Sequence, residues 1–153
     1  MTTIRPLADA DVPPLAAGLA ALPLMVRYGR SELRLASDLR SALARGEGLL
    51  VAEDGGAIRG LAWFLRSGTL GMGGYLRLLA VLGGAQGGGT GASLLAAFEA
   101  EVAKASAHAF LLVSDFNAGA QRFYARHGYV QVGAMPRLVL PDADELVYWR
   151  RLR

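Results

Sequence analysis

Residues 78–98 form an uncharged stretch with a glycine-rich middle. The pattern predicts a buried strand, a glycine-rich turn and the start of a helix, in that order. Glycines let the backbone approach a ligand closely and adopt positive φ. A helix start directs unpaired N–H groups and the positive end of the helix dipole at an anion. The stretch therefore predicts an anion site of the kind that holds the phosphates of a cofactor.

Composition limits the classes of protein to which these 153 residues can belong. A hydrophobic content of 53% and a charged content of 19% indicate a folded chain, which we expect to form one domain over residues 1–153. The net charge of +3 comes from cations scattered along the sequence, whereas a nucleic-acid interface needs a basic stripe or patch, so we expect none. The absence of cysteine excludes disulfides, thiolate zinc sites and a cysteine nucleophile.

We expect a cytoplasmic protein without a membrane segment. Pro13, Pro14 and Pro23 interrupt the apolar stretch near the N-terminus, which disfavours a signal peptide. Residues 78–98 are numerous enough for a membrane span, but the polar and glycine residues in their middle favour strand, turn and helix. The two histidines have no metal-ligand spacing, so no metal site is predicted.

Four helices are predicted from capping signals and apolar periodicity. The first begins near Asp9 or Asp11, with Pro13 and Pro14 in its first turn, where proline is tolerated. Ser31 can cap the second helix, and the fourth covers about residues 117–127. Apolar residues at helical spacing predict the buried faces of the second and third helices, namely Leu33, Ala36, Leu39 and Leu43, then Leu94, Leu95, Phe98 and Val102.

Seven strands are predicted, at about residues 3–7, 49–53, 57–65, 75–82, 109–114, 129–140 and 145–152. Residues 54–56 read Asp-Gly-Gly, which predicts a hairpin turn. Hairpins thus flank one crossover in which a strand, the glycine turn and a helix lead to a further strand. This order predicts an α/β fold with a mixed, largely antiparallel sheet of about seven strands and helices on both faces.

Two motifs in this order of elements resemble the GNAT superfamily of N-acetyltransferases over nearly the whole chain. The family's pyrophosphate motif, Gln/Arg-x-x-Gly-x-Gly/Ala, stands here at residues 86–91, which are Gln86, Gly87, Gly88, Gly89, Thr90 and Gly91. A second motif follows at the expected distance, with Asn117, Phe123-Tyr124 and Gly128-Tyr129. The resemblance implies acetyl-CoA as acetyl donor, a small-molecule amine as acceptor, and an acetyltransferase activity.

The resemblance also implies roles for individual residues. The backbone of Leu79, Ala80 and Val81 would pair with the pantetheine arm, and the amides of the turn would hold the pyrophosphate. Asn117 and Tyr124 would lie near the thioester. In two positions the chain departs from the family: Gly88 stands where Arg or Lys is common, and Gly83 replaces a frequent proline. The turn therefore has no side-chain cation of its own.

Acetyl transfer requires a neutral amine, stabilisation of the thioester oxygen and a proton for the departing thiolate. By the resemblance, the N–H of Val81 or a neighbour serves the oxyanion. Tyr124 is the proposed acid, because a phenol stays protonated at neutral pH and can donate. The predicted fourth strand carries no acidic residue, so Glu145 is our candidate base, with a water relay as the alternative.

Acceptor contacts in this fold usually come from the segment between the first two helices and from the loop between the last two strands. Met25, Tyr28 and Tyr75 are our candidates, and they could form an apolar wall. We favour a small-molecule amine or an amino acid over a protein N-terminus. A homodimer is compatible with a domain of this kind.

Two alternatives remain open from the sequence. Residues 87–92 also fit the dinucleotide fingerprint G-x-G-x-x-A, and Asp115 ends the next predicted strand where a ribose-binding acid belongs. The repeated βαβ units of a dinucleotide-binding domain are missing, however. The other alternative is a non-catalytic module that senses acyl-CoA, which the missing cation and the unidentified base permit.

Overall fold

The computed structural model describes residues 1–153 and contains seven strands and five α-helices. The strands form one sheet in the order β1-β2-β3-β4-β5-β7-β6. Strands β4 and β5 pair in parallel, and the sheet is otherwise mostly antiparallel, as the sequence predicted. The strands are β1 Thr3–Pro6, β2 Gly48–Asp54, β3 Ala57–Thr69, β4 Gly73–Val81, β5 His108–Ser114, β6 Val130–Met135 and β7 Glu145–Arg151.

The helices are α1 Val12–Ala20, α2 Pro23–Arg27, α3 Glu32–Ala44, α4 Thr90–Ala103 and α5 Ala118–Arg126. None of them combines the length and the apolarity that crossing a membrane requires. The chain divides into two compact units. The first comprises Met1–Phe64 with Leu78–Ala100, and the second comprises Leu65–Arg77 with Glu101–Arg153. They are called the first and second units below.

The core of the first unit lies between α1 and α3 on one side and strands β2 and β3 on the other. Proline occupies the first turn of α1, as predicted. Ser31 caps α3, since its hydroxyl accepts a hydrogen bond from the N–H of Arg34 at 3.1 Å. The fully or nearly buried members of this core include Val12, Leu15, Leu19, Leu35, Leu39, Val51, Leu61 and Trp63.

Two local predictions for the first unit were wrong. Leu33 is 85% exposed, because α3 turns Leu35, Leu39 and Ala42 toward the core instead. The segment between the first two predicted helices contains a further short helix, α2, which starts at a proline. Asp11 is the N-cap residue of α1, as predicted, but its carboxylate makes no capping bond to that helix. It accepts hydrogen bonds from the Arg5 guanidinium at 2.7 and 3.0 Å, and this pairing lowers the pKa of the Asp11 carboxyl.

In the second unit, β7 lies between β5 and β6, and its register with β5 runs without a break. Strand β6 is shorter than predicted and ends at Met135, because the chain then enters turns that lead to β7. The register places Phe110 opposite Trp149 and Ser114 opposite Glu145. Directly paired residues point to the same side of a sheet, so these four side chains share one face.

Helix α5 lies on the other face of the second unit. A Cβ added at Gly128, just after α5, would lie 3.2 Å from Nε of Arg150, whose strand position alternates with Trp149. A Cβ at Gly74 would overlap the side chain of Val102, near the end of α4. Tyr75 follows Gly74 and pairs with Phe110, so it belongs to the face with Trp149 and Glu145.

Candidate active site

The predicted anion-binding turn connects β4 to α4 through residues 82–89. Three of its glycines, Gly84, Gly87 and Gly89, have φ values of 85°, 85° and 81°. These values lie in the left-handed region that other residues adopt only at a cost in energy. Gly83 and Gly88 have no such φ. Helix α4 begins immediately after Gly89, so the turn delivers the chain directly to a helix N-terminus of the kind that binds phosphate.

Hydrogen bonds within the turn tie it to the end of β4. The side-chain amide of Gln86 donates to the carbonyl oxygen of Val81 at 3.1 Å. The N–H of Ala85 donates to the carbonyl oxygen of Leu82 at 3.1 Å. The first residue of the pyrophosphate motif thus has a local structural task, which is to fold the turn back onto the strand.

Gly60 of β3 allows the strand end and the start of α4 to pack closely. A Cβ at Gly60 would lie 2.7 Å from the carbonyl oxygen of Ala80, 2.9 Å from Cδ1 of Leu94 and 3.4 Å from Cγ2 of Thr90. Ala80 and Thr90 are both buried. A single small residue therefore positions both the backbone expected to pair with pantetheine and the helix start expected to face phosphate.

Two of the proposed acceptor contacts lie in or beside α2. Met25 is 7% exposed and packs in the core of the first unit. Tyr28 ends α2, and its backbone N–H donates to the carbonyl oxygen of Leu24 at 3.0 Å. Their contact with an acceptor stays a prediction.

The two residues at the start of α5 make local hydrogen bonds. The side chain of Asn117 caps the helix, accepting a hydrogen bond from the N–H of Ala120 at 3.1 Å. Gln121 donates from its side-chain amide to the carbonyl oxygens of Ser114 and Asp115, at 3.3 and 3.0 Å. These bonds hold the beginning of α5 against the end of β5.

Asp115 lies in the turn that follows β5 and is hydrogen-bonded to the backbone of Asp144. Its carboxylate accepts a hydrogen bond from the N–H of Asp144 at 3.1 Å, while its own N–H donates to the Asp144 carbonyl oxygen at 2.9 Å. The carboxylate that a dinucleotide-binding protein would turn toward a ribose is here bonded to backbone. This local role disfavours the dinucleotide alternative.

Tyr124 is 8% exposed and is packed among aromatic rings on α5 and after it. Its ring meets those of Phe123 and Tyr129 edge to face, at centroid distances of 5.1 and 5.7 Å. Burial raises the pKa of Tyr124 well above the ordinary value of 10.0, with no charge or hydrogen bond contributing to the shift. The phenol therefore keeps its proton at neutral pH, as a hydrogen-bond donor must.

Glu145 begins β7 and is 5% exposed. The hydroxyl of Ser114 donates a hydrogen bond to its Oε2 at 3.0 Å. Sequence reasoning missed Ser114 because its pairing with Glu145 depends on the register of two strands 31 residues apart. A polar residue at the end of β5, opposite the start of the last strand, was the one available signal.

Tyr75 lies on the same face as Glu145 and responds to its charge. Burial raises the pKa of the Tyr75 phenol; the Glu145 carboxylate raises it further, and the Arg77 guanidinium opposes both. The second unit thus brings Tyr75, Ser114 and Glu145 to one face of its strands. Tyr124 belongs to helix α5 on the opposite face.

Comparison with known proteins agrees with this geometry. The protein-family model described as acetyltransferase (GNAT) domain matches residues 33–137 of the 153-residue chain. No curated protein sequence matches significantly.

Solved acetyltransferase structures match nearly the whole chain at low sequence identity. An aminoglycoside 6′-N-acetyltransferase complexed with coenzyme A has a TM-score of 0.80 at 18% identity, covering 99% of this chain and 97% of its own. The protein yncA from Salmonella typhimurium, solved with its cofactor acetyl-CoA, has a TM-score of 0.77 at 20% identity, with coverages of 99% and 94%. A ribosomal-protein-alanine N-acetyltransferase from Brucella melitensis has a TM-score of 0.76 at 20% identity, with coverages of 97% and 99%.

Proposed function

Because the chain belongs to the GNAT acetyltransferases, we propose that it moves an acetyl group from acetyl-CoA to a primary amine, with residues 1–153 acting as one domain. The observation that carries this proposal is the turn between β4 and α4. Its positive-φ glycines and the helix start behind them suit a pyrophosphate that is bound by backbone amides. Two of the similar structures contain coenzyme A or acetyl-CoA, which supports the choice of cofactor.

The cofactor is assigned to the backbone of Leu79–Val81 and to the turn Gln86–Gly91. The strand end would pair with the amide groups of the pantetheine arm, and the turn would hold the pyrophosphate. A thermal-shift titration with acetyl-CoA, NAD(H) and NADP(H) tests this assignment. Ligand at about 100 times its Kd adds roughly 2.7 kcal/mol of stability. Stabilisation by a dinucleotide alone would overturn the proposal.

In the proposed reaction, the neutral amine attacks the thioester carbonyl, and the carbon–sulfur bond breaks after the tetrahedral intermediate. The N–H of Val81 or a neighbour would stabilise the oxyanion. The Tyr124 phenol would donate a hydrogen bond, and then its proton, to the departing sulfur. Its protonated state at neutral pH supports the donated hydrogen bond.

Replacing Tyr124 by Phe tests the acid directly. We expect turnover to fall by roughly ten- to a thousand-fold, toward the lower end of what one acid–base group contributes. The ring contacts with Phe123 and Tyr129 persist in the variant, so acetyl-CoA binding is expected to survive. Turnover equal to that of the wild type would remove Tyr124 from the mechanism.

Glu145 is proposed as the base that accepts a proton from the attacking amine, directly or through water. Because Tyr124 lies on the opposite face of the strands, the amine and the departing sulfur would be served from different faces. The Glu145 carboxylate is buried and accepts a hydrogen bond from the Ser114 hydroxyl, which holds it on the same face as Tyr75. Glu145→Gln preserves the shape and removes the proton acceptor. We expect a lower kcat/KM whose loss is partly overcome at high pH, where more of the amine is already neutral. A pH–rate profile parallel to that of the wild type, at equal rate, would favour a water relay.

We propose a small-molecule amine or amino acid as acceptor. The similar structures include an aminoglycoside and a ribosomal-protein-alanine acetyltransferase, so the shared fold serves acceptors of several classes. Release of coenzyme A, followed with a thiol reagent across a panel of amines, separates an enzyme from an acyl-CoA sensor. A protein that binds acetyl-CoA and accepts no amine would be the sensor.

A further inference from the structure

A row of aromatic and aliphatic side chains crosses one face of the second unit. Tyr75, Phe110 and Trp149 stand side by side on three neighbouring strands, because Phe110 pairs with both of the others. Leu112 and Val147 form the next pair along the same face, toward Ser114 and Glu145. We call these five residues, Tyr75, Phe110, Leu112, Val147 and Trp149, the aromatic face. All five are partly exposed.

The aromatic face is held in place by contacts at its end away from Glu145. The Trp149 indole N–H donates to Nδ1 of His108 at 3.0 Å, which fixes the plane of the indole. The imidazole of His108 lies 6.3 Å from the Phe110 ring and 6.0 Å from the Trp149 ring, centroid to centroid. Gly73 keeps this end uncrowded, because a Cβ there would lie 2.8 Å from the Phe110 ring.

The helices of the second unit lie on the opposite side of its strands. Val102 contacts the Gly74 position and Arg150 lies against Gly128, and both of these strand positions alternate with the aromatic face. Beside Val147, a Cβ added at Gly133 would meet no atom within 4 Å. Space is therefore open at Gly133, on the β6 border of the aromatic face. At the far end, the Arg151 guanidinium lies 5.9 Å from the centroid of the Trp149 ring.

The opposite end of the same face is chemically different. Glu145 supplies a buried carboxylate there, and Met135, paired with it, is 44% exposed. Glu145 precedes Trp149 by four residues on β7, which is roughly 13 Å along a strand. One face thus carries a negatively charged carboxylate at one end and, beside it, an apolar strip about as long as a phenylalkyl chain.

We infer that the aromatic face binds the apolar tail of the acceptor, so that the acceptor is a primary amine with an extended aromatic or aliphatic tail. The amine lies toward Glu145, and the tail runs over Leu112 and Val147 toward Trp149. The inference rests on the proposed acetyltransferase function, whose acceptor class it narrows. The charge of the amine matches the carboxylate end, and its tail matches the apolar strip. Polar acceptors such as aminoglycosides have no tail to cover that strip.

The test compares two amines that differ only in the tail, 4-phenylbutylamine and n-butylamine. Burying apolar surface and stacking on Trp149 should give 4-phenylbutylamine a kcat/KM at least about tenfold higher. In Trp149→Ala this preference should fall to about twofold, with the KM for acetyl-CoA unchanged. Trp149→Phe keeps an apolar ring and should retain most of the preference for 4-phenylbutylamine. It therefore distinguishes the loss of a side-chain contact in Trp149→Ala from misfolding of that variant.

A binding measurement makes the test independent of catalysis. The chain has two tryptophans, and Trp63 is buried in the first unit. Titration with 4-phenylbutylamine should therefore change tryptophan emission in the wild type and leave it unchanged in Trp149→Phe. Emission changes in the wild type, with no acetyl transfer to any amine of the panel, would show that the aromatic face binds the tail and would refute the proposed function.

Three results would overturn the inference while leaving the proposed function intact. One is acetylation of n-butylamine or an aminoglycoside in preference to 4-phenylbutylamine. Another is a preference for 4-phenylbutylamine that survives in Trp149→Ala. The last is a dimer that dissociates in Trp149→Ala, since a second copy would then cover the aromatic face. Sedimentation velocity of both proteins detects that outcome.

Discussion

Restoring a cation at position 88 should strengthen acetyl-CoA binding. Gly88 stands in the turn between β4 and α4, where the chain has no basic side chain. Its φ lies outside the left-handed region, and a Cβ there would come no nearer than 3.8 Å to the Ala85 carbonyl oxygen. The backbone at this position therefore accepts an arginine without strain, and the guanidinium would lie within reach of a bound pyrophosphate.

The expected gain follows from the exposure of the turn. A hydrogen bond to a charged group contributes about 1.5–3 kcal/mol, but solvent screening reduces ion pairs at exposed positions to about 0–1 kcal/mol. We expect Gly88→Arg to contribute between these limits, about 0.5–1.5 kcal/mol, which is roughly a two- to tenfold lower Kd. The gain should shrink at high ionic strength.

Isothermal titration calorimetry with acetyl-CoA at low and high salt measures this change. Gly87→Arg is the matched control, because it adds the same charge where φ is 85°. A left-handed backbone there costs roughly 1–2 kcal/mol for a residue with a side chain, so that variant should lose stability. The pyrophosphate does not lie at this turn if Gly88→Arg binds acetyl-CoA no more tightly than the wild type. The same conclusion follows if the increase in affinity does not depend on salt concentration.

Two further predictions concern stability. Gly60→Ala should lower the free energy of unfolding by about 1–2 kcal/mol because of overpacking, which corresponds to a fall in Tm of roughly 2–8 °C. The same variant should also bind acetyl-CoA more weakly. Gly133→Ala is the control, because no atom lies near its Cβ, and it should change neither stability nor acetyl-CoA binding. The Arg5 guanidinium lowers the pKa of Asp11 from 3.8, so the pairing stabilises the fold above pH 3.8 and this contribution disappears as pH falls through the lowered pKa. Asp11→Asn should therefore lower Tm at neutral pH and flatten its acid dependence in thermal melts.

Each of these has a contradicting result. If Gly60→Ala has wild-type stability, then β3, β4 and α4 can move apart at little cost in free energy. That result would contradict the tight packing around Gly60. Weaker stability with unchanged acetyl-CoA affinity would show that Gly60 supports the fold alone. An Asp11→Asn protein whose Tm falls with acid as steeply as that of the wild type would assign the acid sensitivity to other carboxylates.

Local signals in the sequence determined most of the elements that build the glycine-rich turn between β4 and α4. The glycines of the turn predicted its backbone correctly, because positive φ is a property of one residue and its immediate neighbours. Ser31 was identified correctly as a cap for the same reason, since its bond reaches only three residues along the chain. The apolar spacing of α4 predicted four buried residues, and Leu94, Leu95, Phe98 and Val102 are at most 1% exposed.

The tertiary structure alone decided which distant side chains meet. The Asp11 carboxylate pairs with the Arg5 guanidinium as well as with the nearby Ala8 N–H, and Leu33 faces solvent although its spacing is helical. The bond of Ser114 to Glu145 joins residues 31 apart, and that of Trp149 to His108 joins residues 41 apart. Strand register creates these contacts, and a shift of one residue would turn each side chain to the other face. Periodicity and turn chemistry thus specified the elements of this acetyltransferase, whereas the pairing of its strands decided which residues the aromatic face contains.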